Sequence, residues 1–358
     1  MKINSVNSIY NQPPLTRQRF MLIRFCIVLV ALLGLSFTLA VQADISNRKA
    51  VQKFIQTMVK DEGFDQAELI ALFEQVEIKQ KIIDAMSRPA EGVLPWYKYR
   101  GIFLKKDRIN GGVEFWEKNQ ETLAAATEKY GIPSEIIVAI IGVESKYGRH
   151  KGKYRVMDAI SSLAFDFPKR SKFFTKELKE YLLMTREENI EPLSILGSYA
   201  GAMGKPQFIP SSYRAYAVDF DGDGQRDLIH STEDVIGSVA NYFKRHHWQS
   251  GKPVIVKARL KTYNSKTIKK LVKKGIRPHS TLKTFAKKDI VTWKKMDEKS
   301  KAALIELEYK KGKKQYWLGL KNFYVITRYN HSQLYAMAVY QLSQEILKGR
   351  KTKLAQNK

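Results

Sequence analysis

The stretch from Gly131 to Gly148 constrains this chain most. Pro133 suits the first turn of a helix, and Glu135 complements the positive end of the helix dipole. From Ile136 to Val143 every position is apolar or glycine. A helix without a polar face has to be buried, so this one should thread the middle of a domain. It ends by delivering a carboxylate, Glu144, followed by Ser145, Tyr147 and Gly148. A carboxyl group on such a helix is costly to ionise unless paired, and a raised pKa is what a general acid needs. A glutamate at a helix end can also simply reach solvent, and this segment alone leaves both readings open.

The N-terminus reads as a targeting segment. Arg17, Arg19 and Arg24 precede an apolar run from Phe25 to Val41 that ends in Val41–Gln42–Ala43. Basic residues, an apolar stretch and small residues at the end make a secretory signal over 1–43, with cleavage after Ala43. If retained, the run is about long enough to anchor the chain in a membrane. Cys26 lies inside it, so the mature chain carries no cysteine and needs no disulfide in an oxidising compartment. The whole chain holds 62 Lys and Arg against 35 Asp and Glu, a net of +27. Lys2, Arg17, Arg19 and Arg24 are the only charges in the leader, so the rest keeps +23. That charge favours an anionic polymer or surface as partner, and export makes nucleic acid a poor one.

Several short helices are expected between Asp44 and Met86, with Val51, Phe54, Ile55 and Met58 at helical spacing. Trp96 to Phe103 is aromatic and basic, and its Tyr97 and Tyr99 suit either core packing or a sugar groove. One helix is expected from Asn110 to Tyr130 and another from Asp158 to Met184, with Phe165, Phe167, Phe173 and Phe174 in the core. The stretch Gly197 to Tyr213 packs three glycines (Gly197, Gly201 and Gly204) into its first eight positions, with small residues between, and is too glycine-rich for an ordinary element. It suits close approach of a ligand to the backbone, with Ser198 and Gln207 as hydrogen-bonding groups, or merely a tight turn. A further helix is read from Gly237 to Trp248.

Asp219, Asp221 and Asp223 with Gly224 match the start of an EF-hand loop, where Gln225 would offer its carbonyl. Position twelve is His230 rather than a glutamate, so Glu233 or Asp234 would have to close the site through a longer loop. One such loop suits a structural calcium ion. From Lys252 to Leu320 a lysine-rich α+β insertion is expected, with a strand near Val254–Ala258 and a hairpin across Lys311–Gly312. A helical pattern returns from Asn322 to Leu347, and a frayed basic tail from Lys348.

Taken together, Glu144–Ser145–Lys146–Tyr147–Gly148, Ser198 to Gly204 with Gln207 to Ser211, the aspartate loop, Ser238 to Tyr242 and Arg328–Tyr329–Asn330 resemble the lytic murein transglycosylases of the MltB type. The resemblance spans nearly the whole mature chain. It implies an α+β, mainly α fold: a lysozyme-like helical core with an N-terminal α subdomain and a small β-containing insertion. The expected boundaries are 44–105 for the α subdomain, with 155–190 packing on it, and 106–251 for the core, with the ion loop at 219–234. The insertion is 252–320, the core resumes at 321–347, and 348–358 is a disordered tail. The resemblance further implies cleavage of the β-1,4 bond between N-acetylmuramic acid and N-acetylglucosamine with a 1,6-anhydro end. Glu144 would be the sole acid/base; Tyr99, Ser198, Gln207, Phe208, Tyr329, Asn330 and Tyr335 would hold sugars. Asp219, Asp221, Asp223, Gln225 and Asp234 would hold calcium, with no organic cofactor. The partner would be peptidoglycan glycan strands and the compartment the periplasm, for a monomer.

The residues lend this scheme some support of their own. Ordinary glycosidases flank the bond with two carboxylates. The glycine-rich stretch carries no acid, which leaves Glu144 without an obvious partner, although Glu114 or Asp166 could supply one. A hydrolysing muramidase, or a wall-binding protein that does not cut, are the competing readings. The six histidines show no zinc-protease spacing.

Overall fold

Local stop signals divide the first half of the molecule into short helices. The computed structural model describes residues 44–88, 94–293 and 295–356, and the folded unit begins at Ile45. The targeting segment read at 1–43 lies outside the described residues. α1 (Lys49–Glu62) stops at Gly63, whose φ of 66° gives the left-handed cap. α2 (Gln66–Glu74) starts where the Asp65 side chain accepts the Glu68 N–H. α3 (Gln80–Ser87) and α4 (Trp96–Phe103) follow. The single helix expected from Asn110 to Tyr130 is two, α5 (Lys106–Lys118) and α6 (Gln120–Tyr130). Asn119 breaks it: its side chain donates to the Phe115 carbonyl at 2.7 Å, and its backbone leaves the helical region.

α7 (Ser134–Ser145) is the all-apolar helix, buried at every position from Ile136 to Val143. Burying one Ile or Val side chain in this way is worth about 1.5–3 kcal/mol before entropy is counted. Pro133 lies just outside the helix as its cap, with extended ψ of 136°, rather than in the first turn. β1 (Tyr154–Arg155) pairs antiparallel with β2 (Leu196–Gly197) around α8 (Val156–Asp166) and α9 (Ser171–Glu187). The expected continuous helix breaks at Phe167 because the following proline disfavours helical backbone there. Phe173 is not core. It lies exposed beneath the Arg170 guanidinium, 4.1 Å from the ring centroid.

α10 (Pro210–Tyr216) leads into the aspartate loop, and α11 (Thr232–Arg245) starts five residues earlier than expected because Ser231 caps it. The lysine-rich segment forms β3 (Ile255–Leu260), α12 (Ser265–Val272), β4 (Ser280–Thr281), α13 (Leu282–Ala286), β5 (Ile290–Thr292), β6 (Lys301–Lys310) and β7 (Lys313–Gly319). These strands make one antiparallel sheet in the order β4-β6-β7-β3-β5. The hairpin turns at Lys311–Gly312, where Gly312 takes a φ of 71°. A satellite core of Ile268, Leu271, Phe285, Leu304 and Leu318 fills the side of the sheet under α12 and α13. The other side joins the main core through Ile255, Ala303, Ile305 and Leu307.

α14 (Lys321–Tyr329) and α15 (Gln333–Gln356) return to the main core. The tail expected to fray from Lys348 stays helical to Gln356. Its residues are mostly good helix formers, Arg350 bonds Gln120, and Lys353 pairs with Glu117. The main core thus gathers α5, α6, α11 and α15 around α7, the helix that carries Glu144 at its end.

Candidate active site

Ser145 and Tyr147 fix the end of α7. The Ser145 hydroxyl donates to the Ile141 carbonyl at 3.2 Å and accepts the Gly148 N–H at 2.9 Å. Lys146 and Tyr147 take φ of 52° and 62°, the left-handed turn that stops the helix. This turn throws the Tyr147 ring back into a slot between α5 and α7, where its hydroxyl donates to the Arg108 carbonyl at 2.7 Å. Glycines make the slot: a Cβ on Gly142 or on Gly112 would stand 2.6 Å from the Tyr147 hydroxyl oxygen. Arg108 closes the arrangement by donating from its guanidinium to the last carbonyls of α7, Gly142 at 2.8 Å and Val143 at 3.3 Å. A cation there also complements the negative helix end. Burial holds the Tyr147 hydroxyl well above its usual range, so it remains a protonated donor.

Glu144 is half-buried, and the Tyr335 hydroxyl donates to its Oε1 at 2.5 Å. Tyr335 opens α15 and Tyr329 closes α14. Their rings lie nearly parallel, 6.4 Å apart at 13°. Burial first, and then the neighbouring Glu144 carboxylate, push both tyrosine hydroxyls well above their usual range. Both therefore stay donors at any physiological pH. The Tyr329 hydroxyl donates to the Pro206 carbonyl at 2.6 Å, tying this wall to the glycine-rich stretch. Tyr242 packs 4.8 Å from Tyr329 and stacks on His246 at 4.1 Å.

The glycine-rich stretch is a set of interlocked turns. Gly201 and Gly204 have φ of 79° and 68°, and a Cβ on Gly204 would lie 2.3 Å from the Leu228 carbonyl oxygen. Ser198 Oγ accepts the N–H groups of Ala200 and Ala202 at 3.2 and 3.0 Å, which leaves its hydroxyl proton to donate elsewhere. Gln207, at a φ of 52°, spends its amide N–H groups on the Lys151 and Gly204 carbonyls and presents its oxygen. Asn330 follows Tyr329 directly, in extended conformation at the end of α14.

Two expected sugar contacts sit elsewhere. Phe208 is only 2% exposed and packs against Tyr242 and Tyr329, each 5.7 Å away. It supports the wall from behind. Tyr99 is likewise buried, between Trp96 and Phe103, so its ring lines no open groove. Of the rival carboxylates, Asp166 is paired with Arg48 and Glu114 is exposed on α5. The sequence reading missed Arg108 and the glycine slot. The signal for the slot was Gly111–Gly112 inside a helix, which is destabilising without a packing reason.

The aspartate loop brings one carboxylate oxygen each of Asp219, Asp221 and Asp223 within 4.8 Å of one another. Asp219 accepts the N–H groups of Gly222 and Gly224, and Asp223 accepts that of Gln225, so the loop is already wound. Three converging carboxylates with all-oxygen donors fit a hard divalent cation such as calcium. Asp234 does not belong to that trio. It is fully buried in the first turn of α11, and its two oxygens accept the Phe220 and Asp227 N–H groups, each at 2.7 Å. Its side chain braces the loop from beneath.

A half-buried carboxylate at the end of a buried helix, faced by hydroxyl and amide groups in a mainly helical fold, suits a glycan-cleaving enzyme of lysozyme type. The family described as "Transglycosylase SLT domain" matches residues 46–344, and the chain belongs to it. It is 41% identical over 312 residues to "Membrane-bound lytic murein transglycosylase B" of Escherichia coli (strain K12), covering 85% of this chain and 84% of that one. Among solved structures, soluble lytic transglycosylase SltB1 from Pseudomonas aeruginosa is 50% identical, with a TM-score of 0.79 over 84% of this chain and 98% of its own. Escherichia coli lytic transglycosylase Slt35, solved in complex with calcium, is 40% identical with a TM-score of 0.78, over 87% and 98%. SltB3 from Pseudomonas aeruginosa, in complex with NAG-anhNAM-pentapeptide, is 27% identical with a TM-score of 0.72, over 84% and 80%. The chain is a peptidoglycan lytic transglycosylase with a lysozyme-like fold.

Proposed function

We propose that Glu144 alone carries the proton transfers of the reaction. The hydrogen-bonded pair of Glu144 and Tyr335 at the end of α7 carries this reading. Protonated Glu144 gives its proton to the oxygen of the β-1,4 bond as that oxygen leaves C1 of the muramic residue. The muramic N-acetyl oxygen closes onto C1 and takes the place of a second carboxylate. Glu144, now ionised, removes the proton from the C6 hydroxyl as O6 attacks C1 and displaces the acetamido oxygen. The product ends in 1,6-anhydromuramic acid, the sugar in the muropeptide bound by SltB3. Ser198, Gln207, Asn330 and the Tyr329–Tyr335 wall hold the strand on either side.

Tyr335 donates to the carboxylate and so favours its ionised form. Tyr335→Phe is expected to raise the pKa of Glu144, moving the basic limb of the pH–rate profile upward. Loss of a hydrogen bond to a charged group should cost about tenfold or more in turnover. An unshifted limb with unchanged turnover would remove Tyr335 from the mechanism.

Asp219, Asp221, Asp223 and the Gln225 carbonyl hold a calcium ion, with Asp234 bracing the loop. The ion's contribution is structural, since it stiffens the segment between α10 and α11. Calcium at a hundredfold excess over its Kd should stabilise the protein by about 2.7 kcal/mol. Identical melting curves in calcium and in chelator, or a calcium shift that survives Asp219→Asn with Asp223→Asn, would refute the site.

The protein works in the periplasm, where its substrate lies. The basic and apolar sequence before Asp44 supports export. Among the described residues no helix is long and apolar enough to cross a membrane.

A further inference from the structure

The insertion spanning residues 252–320 holds 21 Lys and Arg against 5 Asp and Glu, over half of the chain's excess charge. Its sheet has two unlike faces. Val256, Ala258 and Leu260 of β3 face the satellite core under α12 and α13. The alternate residues Ile255, Lys257 and Arg259 lie on the opposite face, as the two-residue period of a strand requires. Ile255 enters the main core, whereas Lys257 and Arg259 are exposed. On that face Lys257 stands opposite Trp317 and Arg259 opposite Val291. Trp293, just past β5, is 66% exposed, and the Arg259 guanidinium lies 5.3 Å from its ring centroid. Gln315, half-buried, precedes Trp317 by two positions and shares the face.

The same side of the sheet packs into the main core. Ile305, Leu307 and Trp317 pack with the same core as Trp96 and Tyr99 of α4. α4 in turn touches both β6 and α15, the helix that carries Tyr335. A single exposed apolar residue is ordinary. Here an exposed indole is combined with a neighbouring guanidinium, a lysine and an amide on one face of the sheet. An indole face suits the C–H face of a pyranose ring, and a guanidinium suits a carboxylate. The muropeptide bound by SltB3 carries a pentapeptide, and so at least one free carboxylate.

We propose that Trp293, Arg259, Lys257 and Gln315 form a second contact surface for peptide-bearing glycan, holding strand beyond the catalytic cleft. Trp293 stacks on sugar, while Arg259 and Lys257 pair with carboxylates of the peptide stems. This rests on the peptidoglycan reading above. Release of anhydro-muropeptides by the unaltered enzyme tests that reading separately, and the test below measures binding alone.

The measurement is affinity for purified sacculi, and for the same glycan strands stripped of peptide by an amidase, with every protein carrying Glu144→Gln. Trp293→Ala should weaken binding to both materials. Arg259→Glu should weaken binding to peptide-bearing sacculi by about tenfold, with a much smaller loss on stripped strands. Arg259→Lys should restore most of it. Melting curves matched to the parent confirm folding, and the Arg259 series stands alone if Trp293→Ala does not fold. Unchanged sacculus affinity in the Trp293 and Arg259 variants would overturn the proposal. So would an Arg259→Glu loss of equal size on stripped strands. Losses confined to vesicles of phosphatidylglycerol would reassign the face to a membrane surface and equally overturn it.

Discussion

Glu144→Gln is expected to lower turnover of peptidoglycan by at least about 10³-fold, because one side chain serves as acid in the first step and base in the second. The glutamine is nearly isosteric, and its carbonyl oxygen still accepts the Tyr335 hydroxyl, so the hydrogen bond at 2.5 Å survives without the proton that matters. Burial around the site is unchanged, and melting temperature and sacculus binding should stay close to wild type. The comparison of initial rates on sacculi, beside melting curves, checks this. Residual turnover within tenfold of wild type would mean that another group supplies the proton.

Gly142→Ala should be the next most damaging change, although its methyl group touches no substrate. The added Cβ would stand 2.6 Å from the Tyr147 hydroxyl oxygen and 2.7 Å from two ring carbons. The ring has no easy retreat. It stacks on Phe115 at 5.6 Å, is anchored to the Arg108 carbonyl and is lined by Gly111 on α5. Overpacking of this kind costs about 1–3 kcal/mol. The larger effect falls on rate, since Tyr147 fixes the turn that immediately follows Glu144. A misplacement of about 1 Å at a reacting group costs on the order of 10²-fold. We expect kcat to fall by that order while KM changes little, read from steady-state rates on soluble glycan strands. Equal kcat in Gly142→Ala and wild type would show that the slot does not position the carboxylate.

Much of this site was legible in the sequence, for reasons that differ between residues. Glu144 stood out because an eight-residue run without a polar face must be buried, and a carboxylate at its end then needs an explanation. The aspartate loop was legible because its carboxylates are close in sequence and spaced by the geometry of a single turn. Tyr329 and Tyr335 were reached only through the resemblance, since nothing in their own segment distinguishes a catalytic wall from an ordinary buried helix. The same ambiguity misplaced Phe208 and Tyr99: an aromatic ring beside a cleft can line it or support it from behind, and helical spacing does not say which. The glycine slot was hidden for a different reason. Gly112 comes from a different segment from Gly142 and Tyr147, and the slot forms only once α5 has packed on α7. Helix breaks were missed where one side chain decides them, as Asn119 does by bonding the Phe115 carbonyl.

The central claim is that a single carboxylate closes the muramic C6 oxygen onto C1 instead of admitting water. Mass spectrometry of muropeptides released from purified sacculi, by the protein and by its Glu144→Gln variant, tests it most directly. The account predicts products lighter by one water than their reducing-end counterparts, released by the unaltered protein alone. Reducing-end muropeptides, or anhydro products from Glu144→Gln at a comparable rate, would contradict it.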